Sequence, residues 1–174
     1  MDPAGLQIAV LVILVLLSAF FSGTETAFTS FNKNRMKTLA QDGNKKAQAV
    51  LNIEERYEKF LATMLIGNNI VNISASAIST LLFTKFLRGD AGLGATVSTI
   101  VMTIIILIFG EITPKNLGKD FAESYAMSVT GIVRLLMLVF TPLTAIFSLY
   151  FAFLLNKDLK RCLSLLKSLY IFVT

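Results

Sequence analysis

Three long apolar runs, each ending in or containing a short polar motif, constrain this chain more than any other feature. They cover about 6–28, 60–83 and 93–112. A bilayer-spanning helix needs about 20 mostly apolar residues, and each run meets that mark. The first is a poor signal peptide, because Asp2 is the only charge before it and it flows into a polar motif instead of a cleavage site. The composition agrees: 16% of residues are charged and the mean hydropathy is +0.71, where an ordinary soluble domain is about 25% charged.

A fourth stretch, Tyr125 to Leu155, contains Arg134 and is divided by Pro142. Upstream of the proline, Asp120, Glu123, Ser124, Thr130 and Arg134 recur at helical steps along one face, interrupted by Met127. That pattern predicts a juxtamembrane helix over about 119–155, lying in the interface plane. Charge favours the same arrangement. The 32–59 loop carries Lys33, Arg35, Lys37, Lys45, Lys46, Arg56 and Lys59, so the positive-inside rule places it in the cytoplasm. Three spans leave only Lys85 and Arg88 of the 16 basic residues outside. The expected fold class is therefore an all-α membrane protein. It has three transmembrane helices, N-terminus outside and C-terminus cytoplasmic, with a helical hairpin over 32–57 broken at Gly43-Asn44. A basic tail, 156–174, follows. The net charge of +5 reads as a basic skirt facing anionic membrane lipid, and a nucleic-acid partner is not expected.

The inventory also limits the chemistry. There is no His and no Trp, and Cys162 is the only cysteine. Imidazole bases, Ser-His-Asp triads and thiolate metal sites are excluded, and no G-x-S-x-G elbow is present, so the chain is not expected to be an enzyme. Any metal must be held by oxygens, which favours hard cations such as Mg²⁺, Ca²⁺ or Na⁺.

Oxygen donors lie within the spans. The first run ends in Phe21-Ser22-Gly23-Thr24-Glu25, the second contains Gly67-Asn68-Asn69-Ile70-Val71-Asn72, and the third ends in Phe109-Gly110-Glu111-Ile112-Thr113-Pro114-Lys115. Polar groups at membrane depth are costly and face protein interiors or water-filled paths. Pro114 has no N–H, so the Gly110 carbonyl four residues earlier is expected to lose its helical partner next to the Glu111 carboxylate. Equally, Glu111 can mark the end of the span and pair with Lys115. Asn68 and Asn72 share a helical face, either as neutral ligands or as glue between helices. Ser22 can offer a hydroxyl or bond back to its own helix, and Gly23 permits close approach of another backbone. Ser74-Ala75-Ser76-Ala77 with Ser79 reads as a small-residue packing face.

Together, Phe21-Ser22-Gly23, Gly67-Asn68 with Asn72, and Phe109-Gly110-Glu111-Ile112 with Pro114-Lys115 resemble the CorC / cyclin M (CNNM) family of magnesium transporters. The hairpin residues Asn34, Arg35, Leu39, Gly43 and Ala47 resemble that family too, and the likeness covers about residues 5 to 155. The resemblance implies a homodimer with a belt-like juxtamembrane helix. It also implies a dehydrated Mg²⁺ held between the helices and exported by alternating access, with Na⁺ as the coupling ion. Carried over by position, the side chains of Ser22, Asn68, Asn72 and Glu111 and the carbonyls of Gly23 and Gly110 would be the ligands. The family's cytoplasmic CBS nucleotide-binding pair is a further expected partner. This chain stops at Thr174 before any such module, so the 1–155 unit reads as the transmembrane domain and no nucleotide regulation is assigned to it. A non-transporting Mg²⁺ sensor or assembly module is the alternative function.

Overall fold

The computed structural model describes residues 3–87 and 89–143. The expected tail, 156–174, and the distal part of the expected juxtamembrane helix lie outside the described residues. Within them every element is helical: α1 (Pro3–Ser30), α2 (Lys33–Gln41), α3 (Lys45–Glu54), α4 (Tyr57–Phe86), α5 (Ala91–Ile105), a π-helical segment (Ile106–Ile112), α6 (Thr113–Asp120) and α7 (Ala122–Val139).

Local chemistry sets the boundaries. Asn32 caps α2 by accepting from the Asn34 and Arg35 N–H groups at 3.0 and 3.1 Å. Asn44 caps α3 in the same way through Lys46 and Ala47, and Asp90 caps α5 through Leu93. Each such cap stabilises by about 1 kcal/mol. Gly43, at φ +90°, makes the left-handed turn that ends α2, which is the break expected at Gly43-Asn44. Phe121 separates α6 from α7, and α7 ends at Val139, ahead of Pro142.

Four helical stretches are long and apolar enough to cross a membrane: Ala4–Ser30, Tyr57–Phe86, Ala91–Asp120 and Ala122–Val139. The first three contain the runs read from the sequence. Outward positions on all four are apolar, with Leu16, Ile73, Ile100 and Leu138 exposed, as expected of helices whose surroundings are lipid.

α1 is the centre of the bundle and packs against α4, the π-segment, α6 and α7. Its partner α4 runs antiparallel: Gln7 meets Lys85 at one end, the Phe21 ring covers Gly67, and the Phe28 and Phe60 rings lie 4.5 Å apart at the other end. α5 through α6 runs parallel to α1, with Ser18 beside Gly110 and Gly23 beside Pro114. One apolar cluster joins Phe28, Met36, Val50, Phe60, Met64 and Val133, tying the α2–α3 hairpin to α1, α4 and α7. A second joins Leu11, Ala75, Leu82 and Met102 at the opposite end.

Of the small-residue run, Ala75 and Ser79 are buried inside the bundle, whereas Ser76 and Ala77 are exposed. Ser98 donates to Ser79 at 2.8 Å, the kind of interhelical hydrogen bond that joins membrane helices. The hairpin is also tied to α7 by Arg35–Glu123 at 2.9 Å, but the Arg35 side chain is 69% exposed. Arg35→Gln is therefore expected to change unfolding stability by less than about 1 kcal/mol, as read by denaturant titration in detergent.

Candidate cation site

Two of the motif residues, Asn68 and Gly110, meet at Ser18, midway along α1. The Ser18 hydroxyl, fully buried, donates to Asn68 Oδ1 at 3.2 Å. A side chain at Gly110 would meet Ser18 Oγ at 2.8 Å, so the π-segment approaches α1 at this level only because residue 110 is glycine. Ser18, Asn68 and Gly110 thus join α1, α4 and the π-segment at one point. Ser18 was absent from the sequence reading. Its signal is the four-residue step to Ser22, which puts the two hydroxyls on one helical face.

Ser22 and Asn72 flank this point. Ser22 Oγ, on a residue 1% exposed, and Asn72 Oδ1 are both buried without a hydrogen-bond partner. A buried polar atom left unsatisfied costs about 1–3 kcal/mol, so such atoms mark a strained store or a place for a ligand. The alternative of Ser22 bonding back to its own helix is not what the chain does; Thr26 instead donates to the Ser22 carbonyl at 3.0 Å. Because α1 and α4 are antiparallel, helical rise places Ser22 and Asn72 on opposite sides of the Ser18–Asn68 level, about 6 Å along the axis each way. The two orphaned oxygens therefore bracket the contact and do not touch.

Glu111 lies one residue beyond Gly110, inside the π-segment. Its side chain lines a cavity of about 230 Å³ with Ser76, Thr99 and Thr103. The two described ion pairs are Lys33–Glu54 and Arg35–Glu123, so the alternative pairing of Glu111 with Lys115 is not formed. Asn69 is exposed, and Glu25 is half-buried on α1.

The backbone around Pro114 differs from the expected break. The helix is continuous from Ala91 to Asp120, and it absorbs the missing proline N–H by widening. The Thr113 N–H donates five residues back to the Ile108 carbonyl. A π-turn retains a helical path while shifting the carbonyl register, and such turns concentrate at functional sites. Gly110 and Glu111 both fall within it.

On the α6 side, the Gly23 carbonyl presses against Gly118, where any Cβ would overlap it. At Gly23 itself, a Cβ would lie 3.2 Å from both the Pro114 carbonyl and the Tyr125 hydroxyl. Thr24 Oγ1 is a third buried oxygen without a partner, and it too was missed, since a hydroxyl next to a Ser-Gly pair carries no distinguishing pattern in sequence. Among the described residues no three acidic, His or Cys side chains cluster. The described residues thus give two neighbouring features: the Ser18–Asn68–Gly110 contact with unpartnered oxygens around it, and the separate Glu111-lined cavity with Ser76, Thr99 and Thr103. Oxygen donors of this kind suit a hard cation, and the three unpartnered oxygens, Ser22 Oγ, Thr24 Oγ1 and Asn72 Oδ1, lie at different levels along the bundle.

An all-helical, multi-pass membrane domain with a polar cluster buried at the centre of its bundle is the class that fold and site define. Residues 9–164 match the family model described as the cyclin M transmembrane N-terminal domain, and the chain belongs to that CNNM family. It is 37% identical over 148 residues to a UPF0053 protein of Haemophilus influenzae, covering 85% of this chain and 34% of that protein. It is 35% identical over 127 residues to the UPF0053 inner membrane protein YfjD of Escherichia coli, covering 73% and 29%. A protein named polyamine export protein in E. coli is 30% identical over 152 residues, covering 82% and 34%. The chain spans about a third of the length of these curated relatives.

Proposed function

We propose that this domain carries Mg²⁺ across the membrane, driven by Na⁺ entry, through alternating access around the Ser22–Asn68–Asn72–Glu111 cluster. In this reading α1, α4 and the α5–α6 helix are the three spans, with the N-terminus outside. α7 lies as a belt at the cytoplasmic interface, and two copies form the working dimer. The carbonyls of Gly23 and Gly110 complete the ligand set. Mg²⁺ sheds water reluctantly and demands near-octahedral oxygens. A single carboxylate among neutral donors holds a divalent ion while still releasing it.

The observation that carries this reading is the set of buried, unpartnered oxygens, Ser22 Oγ, Thr24 Oγ1 and Asn72 Oδ1, spaced along the bundle as stations of a path. It makes an opposed pair of expectations. Ser22→Ala removes an unsatisfied buried group, so the ion-free protein should unfold at an equal or higher temperature. The same variant should lose most of the stabilisation that added Mg²⁺ gives the parent chain. Thermal unfolding in detergent with and without Mg²⁺ reads both. A Ser22→Ala protein that is destabilised yet keeps its full Mg²⁺ response would defeat the assignment.

The polyamine-export name of the E. coli relative supports a second reading, an organic polycation as cargo. A polyamine carries several separated positive charges and calls for several acidic partners. Parallel transport assays with Mg²⁺ and with a polyamine separate the two readings.

A further inference from the structure

A second polar cavity, of about 410 Å³, opens where the end of α3, the start of α4 and the end of α7 converge. Its walls combine two chemistries. Arg56, Lys59, Glu55 and Asn52 line one part, Met137 and Leu138 another. Lys59 is held in place by donating to the Thr141 hydroxyl at 2.9 Å. The Arg56 guanidinium makes neither ion pair nor hydrogen bond among the described residues. Arg56 is also the N-cap of α4, and no side chain caps that helix, so first-turn N–H groups beside the cavity are left for solvent or an anion.

The cavity sits at the boundary of the second apolar run, where the basic hairpin meets the span. A guanidinium and an ammonium side by side suit a phosphate. Glu55, beside them, suits a cationic group joined to that phosphate. Met137 and Leu138 continue the cavity onto α7, where Leu138 is 71% exposed, offering apolar surface to a hydrocarbon chain. Neither a free anion nor a bare acyl chain uses all three parts.

We infer that this cavity binds one phospholipid whose headgroup carries both a phosphate and an amine. The phosphate sits between Arg56 and Lys59, the ammonium lies against Glu55, and an acyl chain runs along Met137 and Leu138. The inference holds whichever cation the central site carries. It gives α7 a lipid-dependent attachment to the α3–α4 corner.

The whole chain in detergent micelles can be titrated with dioleoyl phosphatidylethanolamine, with dioleoyl phosphatidylglycerol and with soluble glycerophosphoethanolamine, following adducts by native mass spectrometry. The expected result is one tightly retained phosphatidylethanolamine per chain, with the double variant Arg56→Gln, Lys59→Gln binding it at least tenfold more weakly. Glu55→Gln should remove the preference for phosphatidylethanolamine over phosphatidylglycerol. Leu138→Ser, at an exposed position, should weaken both lipids severalfold while leaving the unfolding temperature unchanged, so the test survives even if the double variant misfolds. Unchanged lipid retention in these variants overturns the inference. Soluble headgroup binding as tight as the lipid also overturns it, in favour of a free phosphate-ester site.

Discussion

Glu111→Ala is expected to abolish Mg²⁺ binding measurable by calorimetry, a loss of about 100-fold or more. Changes to groups that only orient a metal's ligands already cost about 10–100-fold, and in the proposed site Glu111 is the carboxylate that holds the ion. Its side chain makes neither ion pair nor hydrogen bond among the described residues, so removing it breaks no internal contact and the folded state should survive. Glu111→Gln keeps the shape and an oxygen but removes the charge. It should also fail to bind Mg²⁺ if charge is what retains the divalent ion. The two variants together separate a ligand from a residue that merely ends a helix. Normal Mg²⁺ binding in Glu111→Ala would remove the carboxylate from the site.

Gly118→Ala is the substitution expected to damage the fold most. A Cβ at 118 overlaps the Gly23 carbonyl and lies 3.2 Å from the Gly23 Cα. These are backbone atoms and cannot rotate aside, so α1 and α6 must separate. Alanine is otherwise the better helix former by about 1 kcal/mol, while overpacking costs about 1–3 kcal/mol and occasionally more. The steric cost should therefore win, with a clear drop in unfolding temperature in detergent. Separating α1 from α6 also displaces the Gly23 carbonyl, so Mg²⁺ affinity should fall with stability. Gly131→Ala is the control. Nothing lies within 4 Å of a Cβ built there, and it should stabilise α7 by about 0.5–1 kcal/mol. Equal stability of Gly118→Ala and the parent would show that this close approach is not maintained in the protein.

Much of the architecture was legible because the physics is local. An apolar run long enough to span reads directly as a helix, and the Gly43-Asn44 break follows from the left-handed turn glycine allows and from the Asn44 side chain bonding its own backbone. Gly23 was legible as a place of close approach, but its partner was not, and Gly67 and Gly118 were not read in this way. That Gly67 accepts the Phe21 ring, or Gly118 the Gly23 carbonyl, depends on helix register. Register is set by packing over the whole α1 interface. The Pro114 region shows the same limit from another side. Proline removes one N–H wherever it stands, but whether the chain breaks or widens depends on its neighbours. Here α1 packs against the π-segment and α6 on both sides of the proline, which keeps the path helical. Ser18 and Thr24 escaped notice for a related reason. A lone hydroxyl in an apolar run is indistinguishable from one that bonds back to its own helix, as Ser74, Thr80 and Thr99 do. Only tertiary structure separates the Ser18 bond to Asn68 from that ordinary case.

The central claim, an oxygen-lined path for Mg²⁺ coupled to Na⁺, is tested most directly by flux. The chain can be reconstituted in proteoliposomes loaded with a Mg²⁺-sensitive dye, with an imposed Na⁺ gradient and with spermidine offered in parallel. The account predicts Na⁺-dependent Mg²⁺ movement that Glu111→Ala eliminates, and no spermidine movement. Spermidine flux without Mg²⁺ flux, or a protein that binds Mg²⁺ yet moves no ion under any gradient, would contradict it.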